Sequence, residues 1–181
     1  MGSNRLIRTS GGTTLRLAAS ALLTLLLCTG CLRYGFTGTS IPEEVNTVFI
    51  PFFADQSSNS LGDLSDRLNS VLINRFVNQT RLSLANSRET ADAVLEGSIV
   101  SYNNRPFSIT GEEQADQNEV IITVRATFSY TGESEPEFSQ NFNGRSTYDP
   151  NEDPIQGEST AADEALEQLA NNIFQDAVSG W

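Results

Sequence analysis

The side chains that most often carry enzyme chemistry are scarce in this sequence. It contains no histidine and no lysine, and its only thiols are Cys28 and Cys31. Without histidine, a histidine-based catalytic triad and the usual zinc sites are excluded. Carboxylates are abundant, but they lie mainly in loops and away from the apolar stripes, where a solvated surface is the simpler interpretation. A hydrolase that uses a pair of carboxylates is the alternative, and no feature of the sequence favours it.

One short acidic segment resembles part of a calcium-binding loop. Residues 149–153 match the D-x-N-x-D opening, in which alternate side chains supply hard oxygen ligands. Pro154 stands where such a loop needs glycine for its sharp turn, and Thr160 stands where a bidentate glutamate should close the site. We therefore interpret the segment as an acidic linker and predict neither a metal nor a cofactor, although calcium binding at residues 149–153 stays open.

Both cysteines belong to an N-terminal segment that is typical of protein export. Residues 1–30 combine three arginines with an apolar run at residues 17–27. That run is shorter than the roughly 20 residues that a membrane-spanning helix needs. Because the small residues Thr29 and Gly30 precede Cys31, the site resembles the lipobox at which lipoprotein signal peptidase cuts. We predict a signal peptide over residues 1–30 and acylation of Cys31; the alternative is an ordinary secretory signal that leaves Cys31 a free thiol.

The chain after the predicted cut has the size and charge of one acidic domain. Removing 30 of the 181 residues leaves 151, which is enough for a real hydrophobic core. These residues include eight arginines and 23 acidic residues, a net charge of −15. Such a charge disfavours nucleic-acid binding, which depends on contacts between basic residues and phosphates. No thiol remains for an internal disulfide once Cys31 is acylated, so packing must supply the stability.

Two segments predict amphipathic helices. Over residues 61–78 apolar side chains recur at spacings of three and four, and Ser60 is a candidate N-cap. A second helix is predicted to begin at Thr160, where Asp163 completes a capping-box pattern. Both stripes need an apolar surface to pack on, and a sheet is the obvious partner. The stripes comprise Leu61, Leu64, Leu68, Val71, Leu72 and Phe76 in the first helix, and Ala162, Ala165, Leu166, Leu169, Ile173, Phe174 and Ala177 in the second.

Four apolar segments predict strands, at residues 47–53, 93–102, 120–130 and 138–148. In the third, every second side chain is apolar, so one face of the sheet belongs to the core. The order strand, helix, strands, helix predicts an α+β fold with two helices packed on one face of a four-stranded mixed, largely antiparallel sheet. We expect a single α/β two-layer domain over residues 47–181, preceded by a lipidated tether over residues 31–46.

Three shorter features complete the predicted fold. Pro51 cannot donate a ladder hydrogen bond, which places the end of the first strand at a sheet edge or a bulge. Gly97 marks a weak point or a bulge in the second strand. Residues 81–85 form a short strand or a turn, and residues 103–118 form an acidic loop rich in turns.

The segment that begins at the predicted acylation site resembles a known family. Residues 31–38 and 41–53 are similar to the start of LptE, the lipopolysaccharide-assembly lipoprotein, in its Bacteroidetes-type form. Residues 61–78, 81–84 and 91–99 agree with the same family, so the resemblance spans most of the mature chain. Similar motifs occur in curli-secretion-like and TolB-like domains. The order and spacing of the motifs after Cys31 therefore carry the resemblance.

The resemblance implies a non-enzymatic lipoprotein on the periplasmic face of the outer membrane. It would plug the lumen of the LptD β-barrel and help to deliver lipopolysaccharide to the cell surface. Basic residues of the family are linked to lipopolysaccharide contact, and guanidinium groups bind phosphate well; ordinary solvated arginine is the alternative. The candidates here are Arg81, Arg88, Arg105, Arg125 and Arg145. A second hypothesis is a lipoprotein subunit of another envelope machine, such as a curli-type secretion pore.

Overall fold

The computed structural model of the chain describes residues 41–58, 61–107 and 117–179. The predicted signal peptide, Cys31, most of the predicted tether and the candidate cap Ser60 lie outside these residues. The described elements, in chain order, are β1 Thr47–Phe49, β2 Ala54–Asp55, α1 Leu64–Ile73, β3 Ser83–Leu84, β4 Ala93–Phe107, β5 Gln117–Tyr130, β6 Phe138–Tyr148 and α2 Pro154–Ser179. Helix α1 continues into a π-helical turn at Asn74–Asn78, and a 3₁₀ turn at Arg88–Thr90 precedes β4.

The strands form one mixed sheet of six strands in the order β3-β1-β4-β5-β6, with β2 also paired to β4. The long pairings of β4 with β5 and of β5 with β6 are antiparallel, whereas β1 and β2 pair with β4, and β3 with β1, in parallel. The α+β architecture with two helices is as predicted, but the predicted number of four strands is wrong. Strand β3 lies within residues 81–85, which were predicted as a short strand or a turn and were not counted among the four. Strand β2 has two residues, too few for an alternation that a sequence could reveal.

The core lies between one face of the sheet and both helices. Alternate residues of β5 have no solvent exposure, which confirms the predicted alternation, and the two helical stripes join them in one apolar cluster. Both helices therefore cover the same face, and we call the opposite face of β4, β5 and β6 the helix-free face. The fully buried residues include Val120, Ile122, Val124, Ala126 and Phe128 of β5, Leu64, Leu68 and Leu72 of α1, and Ala165, Leu169 and Ile173 of α2.

Helix α2 begins at Pro154, six residues before the predicted start at Thr160. Proline suits the first helical position because its missing N–H would have no partner there. Asp153 immediately precedes it, and its carboxylate accepts a hydrogen bond of 3.1 Å from the backbone N–H of Gln156. This proline and its acidic cap were the local signal for the true start of the helix.

Strands β1 and β4 also differ from their predicted form. Strand β1 ends at Phe49, and β2 resumes the parallel pairing with β4 at Ala54, so Pro51 lies in the break between these two short strands. The bulge in β4 lies between Ile99 and Ser101, not at Gly97. Strand β4 continues to Phe107, so the predicted loop over residues 103–118 begins later than expected, and residues 108–116 lie outside the described part.

Gly97 is instead a position of close packing. A Cβ atom there would lie 2.7 Å from the ring of Phe53 and would collide with the carbonyl oxygen of Arg125 on β5. The side chain of Phe53 is fully buried, so it has little room to move away. The glycine therefore allows the loop after β1 to pack on the middle of the sheet.

Hydrogen bonds to the Asp92 side chain connect the start of β1 to the start of β4. Its carboxylate accepts hydrogen bonds from the backbone N–H groups of Asn46 and Thr47, both at 2.9 Å, and from the Thr47 hydroxyl at 2.8 Å. The hydrogen bond from Asn46, followed by those from Thr47, lowers the pKa of Asp92 below its ordinary value of 3.8. Because the pKa is lower in the folded state, the ionised carboxylate stabilises the fold at neutral pH.

We expect Asp92→Asn to lower the melting temperature at neutral pH and to do so less as the solution becomes acidic. The stabilisation by Asp92 is complete above the unfolded pKa of about 3.8 and is lost as the pH falls through the lower pKa of the folded state. Circular dichroism melting curves of both proteins over a pH series would measure the difference. A difference that stays constant down to the acid limb would contradict the assigned role of this carboxylate.

Candidate interaction surface

The helix-free face carries all the charged side chains of the three long strands. Because residues paired across β4, β5 and β6 share a face, the register places the three arginines and two glutamates of these strands on the side away from the helices. Three positive and two negative charges leave this face with one positive charge, whereas the whole chain carries −12. The five residues are Glu96 and Arg105 of β4, Glu119 and Arg125 of β5, and Arg145 of β6.

At one end of this face, two arginines flank a buried carboxylate. Glu119 is only 3% exposed, and Arg105 lies directly across from it on β4. Arg105 donates from Nε at 3.3 Å and from Nη2 at 3.0 Å to Oε2 of Glu119. Arg145 approaches from β6, with Nη1 4.0 Å from Oε1. We call these three residues the Glu119 cluster.

Polar pairs continue the face along β5 and β6. The hydroxyl of Thr123 donates to Asn143 at 2.8 Å, and Nε of Arg125 donates to Asn141 at 3.2 Å. Next along the strands, the hydroxyls of Thr127 and Ser139 lie 2.9 Å apart. These cross-strand hydrogen bonds hold the side chains in place, so the face presents an ordered polar surface.

The other two candidate arginines are engaged in contacts within the chain. Arg88 pairs with Glu96, and this ion pair brings a fourth arginine to the border of the helix-free face. Arg81 donates from Nη2 to the carbonyl oxygens of Ile41 at 3.1 Å and of Pro42, so it holds the segment that leads into β1. Of the five candidates, the structure thus brings Arg105 and Arg145 together and turns Arg81 towards backbone.

A separate acidic cleft of about 530 Å³ lies beside the start of β4 and the turn after β5. Burial and the nearby carboxylate of Glu133 raise the pKa of Glu137 above its ordinary value. In the part of the chain that the structure describes, no three acidic, cysteine or histidine side chains are grouped closely enough to hold a metal ion. The acidic residues that line the cleft are Glu44, Glu89, Asp92, Glu133 and Glu137.

The segment that resembles a calcium loop uses its side chains for local structure. The carboxylate of Asp149 accepts hydrogen bonds from the backbone N–H and side-chain amide of Asn151, at 2.7 and 3.1 Å. Asp153 caps α2, as described above. These contacts favour the interpretation as an acidic linker that turns the chain into a helix.

Glu119 is the residue that sequence reasoning missed. Strict alternation already placed it on the same face of β5 as Arg125, which is a signal available in the sequence. Its partners, however, come from β4 and β6 and depend on the register of both pairings. The arginines could be named one by one as candidates, but their shared carboxylate required the sheet.

Comparison with known families matches the model for LptE, described as lipopolysaccharide-assembly, to residues 45–177. The chain belongs to the LptE family. The match extends from before β1 into the last turns of α2 and so includes every described strand. The resemblance inferred from the sequence is thereby confirmed.

LptE proteins are non-enzymatic lipoproteins with a role in lipopolysaccharide assembly, and membership assigns this role to the present chain. The prediction that the chain is not an enzyme is confirmed by that membership. Within the described ranges, neither helix of this LptE-family chain is both long and apolar enough to cross a membrane.

Solved structures with a similar fold include two bacterial proteins. An uncharacterized lipoprotein B from Nitrosomonas europaea is 12% identical, with 78% of this chain and 86% of that chain covered and a TM-score of 0.52. A Xanthomonas campestris protein of family DUF330 is 11% identical, with 78% and 90% covered and a TM-score of 0.53. At these identities the likeness shows the fold alone. No curated protein sequence matches the chain.

Proposed function

We propose that this LptE-family chain is acylated at Cys31, lies on the periplasmic face of the outer membrane, and partners and plugs an LptD-like β-barrel in lipopolysaccharide transport. The tether over residues 31–46 would join the anchor to the domain over residues 47–181. The observation that carries the proposal is the charge of the helix-free face, which is positive in a strongly acidic chain. A face with this charge attracts a phosphate-bearing glycolipid, whereas a net negative charge repels one.

The helix-free face also suits contact with the wall of a water-filled barrel. Its side chains are polar and already hydrogen-bonded to one another, as in the pairs Thr123–Asn143 and Thr127–Ser139. A wet, polar interface needs few large apolar groups, because bridging waters replace direct contacts. Most apolar residues of the sheet, by contrast, lie in the core beneath the helices; Val94 and Ile121 are exceptions on the other side.

Among the candidate arginines, Arg105, Arg125 and Arg145 are the ones best placed for lipopolysaccharide. All three project from β4, β5 and β6 on the helix-free face. Arg88 stands at its border in an exposed ion pair with Glu96, which solvent already screens. Arg81 is the least available of the five for binding a ligand, because its Nη2 group donates hydrogen bonds to backbone carbonyl groups.

Isolation of the tagged, mature chain from detergent-solubilised outer membranes tests the proposal. We expect mass spectrometry to find diacyl or triacyl groups on Cys31 and to identify a large β-barrel in a one-to-one complex with the chain. Cys31→Ala is the matched control. It cannot be acylated, so it should be lost from the membrane fraction and should bring down no barrel.

Two outcomes would contradict the proposal in different ways. Repeated isolation without a barrel would rule out the proposed LptD-like partner. An unmodified Cys31 thiol would rule out the proposed lipid anchor. A detergent-stable ring of many copies would favour a curli-type secretion pore instead.

A further inference from the structure

In the Glu119 cluster the carboxylate is buried, whereas the two guanidinium groups are exposed to solvent. The Glu119 side chain is 5% exposed, whereas the side chains of Arg105 and Arg145 are 61% and 63% exposed. One carboxylate between two guanidinium groups leaves a net charge of +1 at this point. An approaching anion would therefore meet two guanidinium groups before it met the carboxylate.

Both arginines keep donors that the cluster does not use. A guanidinium group has five N–H bonds. Arg105 uses Nε and Nη2 for Glu119, which leaves its Nη1 free of that carboxylate. Among the described residues, Arg145 makes one ion pair, through Nη1 at 4.0 Å. The remaining N–H groups of two cations, held from either side of one strand, can converge on a ligand with several acceptor oxygens.

We propose that Arg105 and Arg145 together bind a phosphate monoester, and that Glu119 is the positioning residue that holds the two guanidinium groups. A phosphate dianion offers three terminal oxygens and up to two negative charges, which matches two fork-shaped donors better than a carboxylate does. The inference rests on the proposed function, because that function supplies a phosphate on a glycolipid as the source. Free phosphate esters are the other source of the same chemistry.

Other basic side chains on this face lack the same arrangement. Arg125 lies six residues along β5 from Glu119, about 20 Å away at the usual rise of a strand, and its described contact is with Asn141. Arg88 pairs with Glu96 on an exposed part of the sheet. Only at Glu119 do arginines from two neighbouring strands of the described sheet meet at one buried carboxylate.

Glu119→Gln distinguishes a positioning role from a purely electrostatic one, because the two roles predict opposite changes in phosphate affinity. Glu119→Gln removes a negative charge, so general attraction for anions would increase. If Glu119 positions the arginines, the same change weakens phosphate binding, because one amide oxygen cannot hold two guanidinium groups as a carboxylate does. The circular dichroism melting curve of this variant establishes that it is folded before binding is measured.

The experiment uses the full mature lipoprotein in detergent at low ionic strength. Calorimetry with glucosamine 1-phosphate tests a free phosphate ester, and flotation with phosphatidylcholine vesicles that contain phosphatidic acid tests a lipid-borne one. We expect Arg145→Gln to weaken binding about tenfold, the loss typical of a hydrogen bond to a charged group, while the Arg105–Glu119 pair stays intact. Arg75→Gln is the charge-matched control, since Arg75 pairs with Glu167 on the helical side.

Each result supports or overturns the inference. Arginine-dependent binding in both arms supports it, and arginine-dependent binding to vesicles alone also supports it and assigns the phosphate to a lipid. Equal binding by Arg145→Gln and Arg75→Gln overturns the site, and tighter binding by Glu119→Gln overturns the positioning role. Arg145→Gln should still bring down the barrel, so loss of the barrel from the unaltered chain would count against the proposed function and not against this site.

Discussion

Alanine at position 144 is expected to destabilise the domain by about 3 kcal/mol or to prevent its folding, since overpacking a tight core costs this much when the backbone must move. Gly144 is buried and faces the core from β6, next to Ala165 and Leu169 of α2. A Cβ atom there would collide with the carbonyl oxygen of Ala165 and lie 2.8 Å from the carbonyl carbon of that residue and 3.0 Å from Cβ of Leu169. Helix backbone cannot yield as a flexible side chain does, so α2 would have to lift from the sheet. Urea unfolding followed by circular dichroism measures the loss.

Gly62→Ala is the matched control for this prediction. It makes the same chemical change in the segment before α1, where a Cβ atom would meet nothing within 4 Å. We expect its stability to stay within about 0.5 kcal/mol of the unaltered chain, as at most exposed positions. Similar unfolding midpoints for Gly144→Ala and Gly62→Ala would show that α2 does not pack on β6 as closely as described.

Phe76→Ala is expected to cost about 3–5 kcal/mol, the usual range for removing a buried phenylalanine ring. Phe76 is fully buried in the π-helical turn after α1. Its ring lies 5.3 Å from that of Phe174 in an edge-to-face arrangement and 6.1 Å from that of Phe128. The ring thus joins the first helix to both α2 and β5, and its loss would leave a cavity where three elements meet.

Phe52→Ala supplies the comparison for the aromatic core. Phe52 has the same side chain but is 59% exposed in the loop after β1. Its removal should therefore cost only about 1 kcal/mol, because more than half of its surface is already in contact with solvent. A larger loss for Phe52→Ala than for Phe76→Ala would mean that the loop, and not the cluster around Phe76, carries this part of the core.

The helices and the final hairpin could be predicted because their signals are local. Leu64, Leu68 and Leu72 recur at helical spacing, and a helix can place such a stripe on only one side. The alternation in β5 is equally local, and β6 begins at Phe138 and ends at Tyr148 as predicted. Each of these patterns can be recognised in a short stretch of sequence and does not depend on distant residues.

Strand β2, the pairing of β3 with β1 and the position of the bulge required the folded chain, whereas the start of α2 had a local signal in Asp153 and Pro154. Residues 154–160 contain a single large apolar residue, Ile155, which is 84% exposed in the structure. Periodicity therefore pointed to a later start than the cap at Asp153 does. Strand β2 exists only through its parallel pairing with residues 98 and 99 of β4. Pairings of this kind depend on where distant segments meet, and no local pattern records them.

The sequence by itself determined the inventory of this protein: no histidine or lysine, a negative charge, two helical stripes, an alternating strand and a family resemblance. Only the tertiary structure decided how the charges are distributed. It placed the charged residues of β4, β5 and β6 on the face without helices and buried Glu119 between Arg105 and Arg145. The reason is that alternation assigns a side chain to a face within its own strand, whereas its neighbours on that face are set by cross-strand register.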